Sequence, residues 1–340
     1  MNNRTYSLEV GRTLGIGGMA TVHLARLDEG GTSRNVALKK PHAFLADDPT
    51  MLATLEDEAE LGACIAHPNV VRVIGLVNGN EPALVMEWID GVDLGTLVRA
   101  AAARGRRLPI DVIAAIARDI LAGLHAAHEA RRADGLALDV VHRDVSPQNV
   151  LVGVDGVVRV TDFGVAKSSW RRMHTENGAV KGKLGYLAPE QLSGRCDRRS
   201  DVFGLGVVLW ELLTGTRLRK GNGVEVLIEI LSGHVEAPSV SSPDAASLDA
   251  VVLRALERAP EDRFETAAAM LEALERQVAV ASPARVASVV REILDVSEPA
   301  TEADAPPPAS RTTRVARQHR DARSMRRTRI ARSGALKRCG

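Results

Sequence analysis

The chain has only three cysteines, Cys64, Cys196 and Cys339, scattered and odd in number. That pattern argues against a disulfide framework or a CxxC metal site and suits a reducing interior. Long apolar runs are missing too. None reaches the ~18 residues needed to cross a bilayer, and the opening MNNRTYSLEV lacks the basic-then-apolar profile of a secretory leader. The expectation is a soluble, cytoplasmic protein with no transmembrane segment. Lysine is scarce, seven against 37 arginines, so Lys39, Lys40, Lys181 and Lys183 stand out as members of a small set. Acids are nearly absent from one stretch: residues 311–340 carry ten arginines and one lysine against Asp321 alone. The net charge of +1 therefore conceals a mildly acidic body and a basic tail.

What is present falls into two lobes and a tail. Residues 5–40 alternate short apolar runs with glycine-rich turns (YSLEV, TVHLARL, NVALKK), the pattern of about three antiparallel strands. The apolar spacing of MLATLEDEAELGACIA, 51–66, predicts a helix that the proline of HPN, 67–69, stops. VVRVIGLV and PALVMEWI add two strands, so residues 1–90 read as a five-stranded antiparallel sheet with one helix. From residue 91 to 280 helical periods dominate, in LGTLVRAAAARG, PIDVIAAIARDILAGLHAAHEA, DVFGLGVVLWELLTG, VEVLIEILSG, LDAVVLRALE and AAAMLEALERQVAV. Residues 281–296 suit one more helix, 297–310 (SEPATEADAPPPAS) a disordered linker, and 311–340 an arginine-rich disordered tail. The stretch ARRADGLALDVV before His142 predicts a small hairpin insertion turning at DG.

Several motifs follow in a fixed order. Gly15-Ile16-Gly17-Gly18 sits between two predicted strands, where a glycine-rich hairpin offers backbone N–H groups to phosphates. Seventeen residues after Val22, VALK ends in Lys39; the next helix carries Glu58, nine residues before His67. Met86-Glu87-Trp88-Ile89 closes the last strand of the lobe. HRDVSPQN, 142–149, is followed by DFG at 162–164, APE at 188–190 and PEDRF containing Arg263.

This ordered set resembles the Hanks-type protein kinases, the eukaryotic-like serine/threonine kinases found in bacteria, over residues 5–272. The resemblance implies an α+β, bilobal protein-kinase fold with ATP between the lobes and Mg2+ or Mn2+ as the metal. Asp144 is then the catalytic base, Asn149 and Asp162 the metal ligands, and Lys39 with Glu58 the ion pair of the active state. The nucleotide would be lined by Leu14, Gly15, Gly17, Gly18, Val22, Ala37, Lys39, Met86, Glu87, Ile89, Asn149, Leu151 and Asp162. Glu190 is expected to pair with Arg263, Asp201 to brace the catalytic loop, and His142 to be a packed residue rather than a base.

Two positions depart from the family pattern. Ser146 stands where serine/threonine kinases carry a lysine, and Lys183, in GKLGYLAPE, stands where they carry a threonine. One reading is a swap, in which Lys183 restores toward Asp144 and the γ-phosphate the charge that Ser146 lacks. The other leaves Lys183 merely exposed and the kinase weak. The expected activity is phosphorylation of Ser/Thr on protein substrates, the chain itself among them, with Thr175, Ser168 and Ser169 as sites near Arg143. The alternative is a pseudokinase scaffold that binds nucleotide or a partner, with the basic tail as recruiting arm. Arginine recurs every three residues from 311 to 332, a period that an extended strand keeps on one face and an α-helix does not. The tail accordingly suits an electrostatic arm for anionic surfaces or nucleic acid, although it lacks the interleaved aromatics that stack on bases.

Overall fold

The alternating runs of the N-terminal lobe form a meander of long strands, β1 (Tyr6–Ile16), β2 (Ala20–Glu29) and β3 (Thr32–Pro41). The computed structural model describes residues 6–46, 48–78, 81–163 and 184–296, and the backbone of 329–330 and 337–338. Asp48 caps α1 (Pro49–Cys64): its carboxylate accepts the Thr50 N–H, and Pro49 occupies the first helical position, where no N–H is needed. β4 (Val73–Val77) and β5 (Ala83–Glu87) complete the five antiparallel strands, and α1 packs on one face of them through Met51, Leu55 and Ala59.

The helical lobe begins with β6 (Gly91–Asp93), α2 (Leu94–Ala103) and α3 (Ile110–His128). β7 (Val150–Gly153) and β8 (Val158–Val160) then pair with β6 in a small antiparallel sheet that sequence periodicity did not reveal. Strands of three or four residues are too short to register a period of two. α4 (Arg198–Thr214), α5 (Gly223–Ser232), α6 (Pro238–Ser241), α7 (Asp249–Ala255) and α8 (Ala267–Gln277) follow. α4 is buried nearly all round, so it carries no amphipathic stripe. The hairpin insertion is present: Arg131 bridges Ala137, and the Arg132 N–H donates to the Leu136 carbonyl at 2.9 Å.

Two findings go beyond the sequence reading. α9 (Pro283–Leu294), capped by Ser282, docks on α2, α3 and β7, and buries Val286, Val289, Val290 and Ile293. Its approach fixes Gly156, which has a φ of +79°; a Cβ there would meet the Pro283 carbonyl oxygen at 1.9 Å. The second finding concerns the arginine-rich tail. β9 (Arg329–Ile330) pairs with β1, and β10 (Lys337–Arg338) with β4, so the sheet runs β10-β4-β5-β3-β2-β1-β9. The outer strands β1 and β4 otherwise present unpaired backbone groups, a template for any extended segment.

α9 lies outside the segment that carries the motifs, yet it belongs to the helical core. Ile293→Ala is expected to cost about 3 kcal/mol, the cost of emptying a buried aliphatic site. Glu292→Ala, which removes an exposed pair with Arg106, is expected to leave stability nearly unchanged. Urea unfolding of both variants measures the difference.

Candidate active site

The catalytic loop is shaped by a buried carboxylate. Asp201, in the first turn of α4 and 1% exposed, accepts the backbone N–H groups of His142 at 2.8 Å and Arg143 at 2.7 Å. His128 of α3 completes it at 2.7 Å. These bonds hold Arg143 at a φ of +66°, the left-handed region a non-glycine residue rarely adopts, and so aim the next residue, Asp144. His142 donates from Nε2 to the Thr161 carbonyl at 2.9 Å, which leaves Nδ1 to accept the Asp144 N–H at 3.2 Å. Its ring meets Phe163 edge-on at 4.7 Å. It is the packed residue expected, linking the catalytic loop to the turn that bears Asp162.

Asn149 is 4% exposed, and its Nδ2 donates to both the Asp144 carbonyl and Asp144 Oδ2, each at 2.8 Å. The amide nitrogen is thereby committed, and Oδ1 is left as a donor to a hard cation. Asp162, at a φ of +66°, supplies a carboxylate on the adjoining turn. An amide oxygen and a carboxylate fit the donor set of Mg2+, which takes one or two protein ligands and fills its shell with water and phosphate oxygens. Among the described residues no group of three or more His, Cys, Asp or Glu forms a closed metal cage. An open site of this kind needs a ligand to complete it.

Lys39 joins the lobes. Its Nζ lies 2.8 and 2.9 Å from the two carboxylate oxygens of Glu58 and 2.7 Å from Asp162 Oδ1. Burial by itself would lower the Lys39 pKa, but Asp162 and Glu58 together outweigh it and hold the ammonium above its ordinary value. Burial pushes the Glu58 carboxyl up, with Lys39 opposing and Asp162 adding to the rise. Above this ion triad Val22, Ala37, Met86, Ile89 and Leu151 meet in one apolar cluster, a surface suited to a flat ring. Leu14 lies outside that cluster and is exposed; the Glu87 N–H is already spent on the Arg72 carbonyl. A Cβ built at Gly15 or Gly18 would meet nothing within 4 Å, so the space over the glycine-rich turn is open.

Ser146 is fully buried, and its Oγ has no hydrogen-bond partner among the described residues. Lys183, Thr175, Ser168 and Ser169 lie outside the described residues. Two further links had no signal in the sequence. His42 Nε2 is 2.9 Å from the Gly17 carbonyl, tying the approach to α1 to the glycine-rich turn. Gln191, just after APE, accepts the Ala188 N–H and donates to the Arg143 carbonyl, stapling that segment beside Asp144. Both close loops between residues far apart in the chain.

With this geometry assembled, a family model described as the protein kinase domain matches residues 8–274. The chain belongs to the Hanks-type protein kinases. It is 41% identical over 270 residues to the tyrosine-protein kinase MasK of Myxococcus xanthus, covering 78% of this chain and 42% of that protein. It is 38% identical over 272 residues to the serine/threonine-protein kinase PknB of Mycobacterium tuberculosis, covering 77% and 41%. The crystal structure of the M. tuberculosis PknI kinase domain superposes with a TM-score of 0.59 at 26% identity, covering 79% of this chain and 95% of that one. The chain thus spans about two fifths of the length of the curated relatives it matches. Among the described residues no helix is long and apolar enough to cross a membrane.

The Glu190–Arg263 pair expected from the motifs is bidentate, at 2.7 and 2.8 Å, and the Arg263 side chain is fully buried. Arg263 also donates to the carbonyls of Glu257, Arg199 and Arg258, while Ser200 donates to Glu190. Burial tends to raise the Glu190 carboxyl, but the bonds from Arg263 and Ser200 outweigh it and hold the pKa below the usual 4.5. Arg263→Leu is expected to cost about 3–5 kcal/mol, since it strands a carboxylate and three carbonyls. The stability that Glu190 contributes is fully present above pH 4.5 and lost as pH falls through its lowered value, because the unfolded chain takes up that proton first. Denaturant titrations at neutral and acid pH check both statements: the wild type is expected to lose more stability on acidification than Arg263→Leu.

Proposed function

We propose that this chain transfers the γ-phosphate of ATP to serine and threonine hydroxyls of proteins, using Mg2+ or Mn2+. The observation that carries the reading is the convergence of Lys39, Glu58 and Asp162 in one ion triad with Asp144 and Asn149 in direct contact on the adjoining loop. Asp144 orients the acceptor hydroxyl and takes its proton as the oxygen attacks phosphorus. Lys39, held by Glu58, grips the α- and β-phosphates. A divalent cation held by Asn149 and Asp162 would neutralise charge on the phosphates. Activity in the cytoplasm agrees with the unpaired Cys64 and Cys196.

Ser146 supplies no charge from its position, and its buried hydroxyl is unpartnered among the described residues. This favours Lys183 as the source of positive charge at the transferring phosphate. Autophosphorylation falls on Thr175, Ser168 or Ser169, where a new dianion can order the segment against Arg143. The arginine tail acts as an electrostatic arm toward anionic surfaces or nucleic acid, and its binding weakens with salt.

Incubation with labelled ATP and either metal, beside Asp144→Asn, tests the reading. Label in the wild type alone, recovered as phosphoserine or phosphothreonine, is the expected result; phosphotyrosine alone would align the chain with the activity named for MasK. Nucleotide binding with no label under either metal would instead mark a pseudokinase scaffold. Lys183→Met is expected to lower turnover at least ~10²-fold, as loss of other preorganised charges does. Unchanged turnover in that variant would refute the swap.

A further inference from the structure

Beside Pro189 lies a cavity of about 320 Å3, walled also by Phe203 and Trp210 and rimmed by Arg219, Lys220 and Arg258. Arg219 reaches into it over the Phe203 ring, its guanidinium carbon 5.2 Å from the centroid. One terminal nitrogen donates to the carbonyls of Gly185 at 2.7 Å and Leu187 at 3.1 Å. The remaining N–H groups of that guanidinium bond to none of the described residues, and Arg219 lines the cavity. No carboxylate among the described residues lies within ion-pair range of Arg219, and burial outweighs the more distant Glu229 and Glu211 to push its pKa down to about 10. A half-buried guanidinium in that state is stabilised by an incoming anion.

The neighbouring charges favour the same occupant. Lys220 and Arg258 are exposed, and their charged ends have no ion-pair partner among the described residues. His234 also lines the cavity. Arg217 is already neutralised by Glu211 at 3.2 Å. Two acids, Glu229 and Glu236, line the same cavity, and the Glu229 carboxylate accepts the Lys220 backbone N–H at 3.3 Å. The cations outnumber them. The carbonyls that Arg219 holds, Gly185 and Leu187, lie just before Ala188, whose N–H Gln191 accepts while donating to the Arg143 carbonyl, one residue from Asp144.

We infer that this cavity is a specificity site, taking an acidic side chain of a protein substrate that flanks the acceptor hydroxyl. The inference rests on the protein-kinase reading for the identity of the bound chain, while the anion-binding chemistry stands on the cavity alone. The test uses two fluorescein-labelled peptides with a central serine, one flanked on both sides by glutamate and the other by glutamine. Each is titrated by fluorescence anisotropy into the full chain without nucleotide, so the readout does not depend on turnover. The glutamate peptide is expected to bind at least about tenfold more tightly, the effect of one charge-assisted hydrogen bond. In the triple variant Arg219→Gln/Lys220→Gln/Arg258→Gln the preference is expected to fall by about tenfold, to whatever the basic tail alone supplies. The basic tail contributes equally to both proteins, so the change reports the cavity. Equal binding of the two peptides to wild type, or a preference undiminished in the variant, would overturn the proposal. Turnover of the same peptides with labelled ATP is read separately: a silent assay with the binding preference intact defeats the catalytic reading and leaves the cavity assignment standing.

Discussion

A single carboxylate, Asp201, is the constraint on which the site depends. It is almost fully enclosed, and an enclosed charge is tolerable only when its oxygens are saturated with donors. Two of those donors are backbone N–H groups of the catalytic loop, and the third is His128 on the neighbouring helix. The loop therefore cannot relax the left-handed Arg143 without leaving Asp201 unsatisfied. What looks like local backbone strain is held by the helical core, and the direction of Asp144 follows from it.

Lys39 performs the corresponding task between the lobes. Glu58 comes from the helix of the β lobe and Asp162 from the turn after β8, so one ammonium fixes elements that the chain separates by more than a hundred residues. The choice of lysine in an arginine-rich chain has a geometric reason. Three N–H bonds of a compact ammonium can point at oxygens of two differently placed carboxylates, whereas the planar fork of arginine suits a single one. The latter case is seen at Glu190, which arginine does grip, in bidentate fashion. One positive charge between two acids also leaves the triad short of positive charge, a balance that favours a divalent cation.

Much of this site was legible in the sequence because the chemistry needs particular side chains at particular separations: Lys39, Glu58, Asp144, Asn149, Asp162, Glu190, Asp201 and Arg263 were all singled out by motif and order. The structure brings Lys39 to Glu58, Glu190 to Arg263 and Asp201 to the loop that bears Asp144. What escaped was whatever depends on backbone path. His42 meets Gly17 and Gln191 meets Arg143 through loop closures that leave no periodic trace. The β6–β8 sheet is too short to show alternation. β9 and β10 are set by the open edges of β1 and β4 rather than by anything in their own arginine-rich residues. α9 was visible as a helix, but its docking depends on the room that Gly156 leaves.

The substitution at Ser146 is best understood by comparing what two side chains would need there. The position is fully enclosed, and even a hydroxyl finds no partner among the described residues. An ammonium at the same place would carry a far larger desolvation cost unless an anion met it. The loop next to Asp144 is thus built for a small, neutral side chain. Under the proposed swap the charge at the phosphate would come from Lys183, outside the loop, and an ammonium supplied by a separate segment would tie catalytic competence to that segment as well as to the Lys39–Glu58 pair.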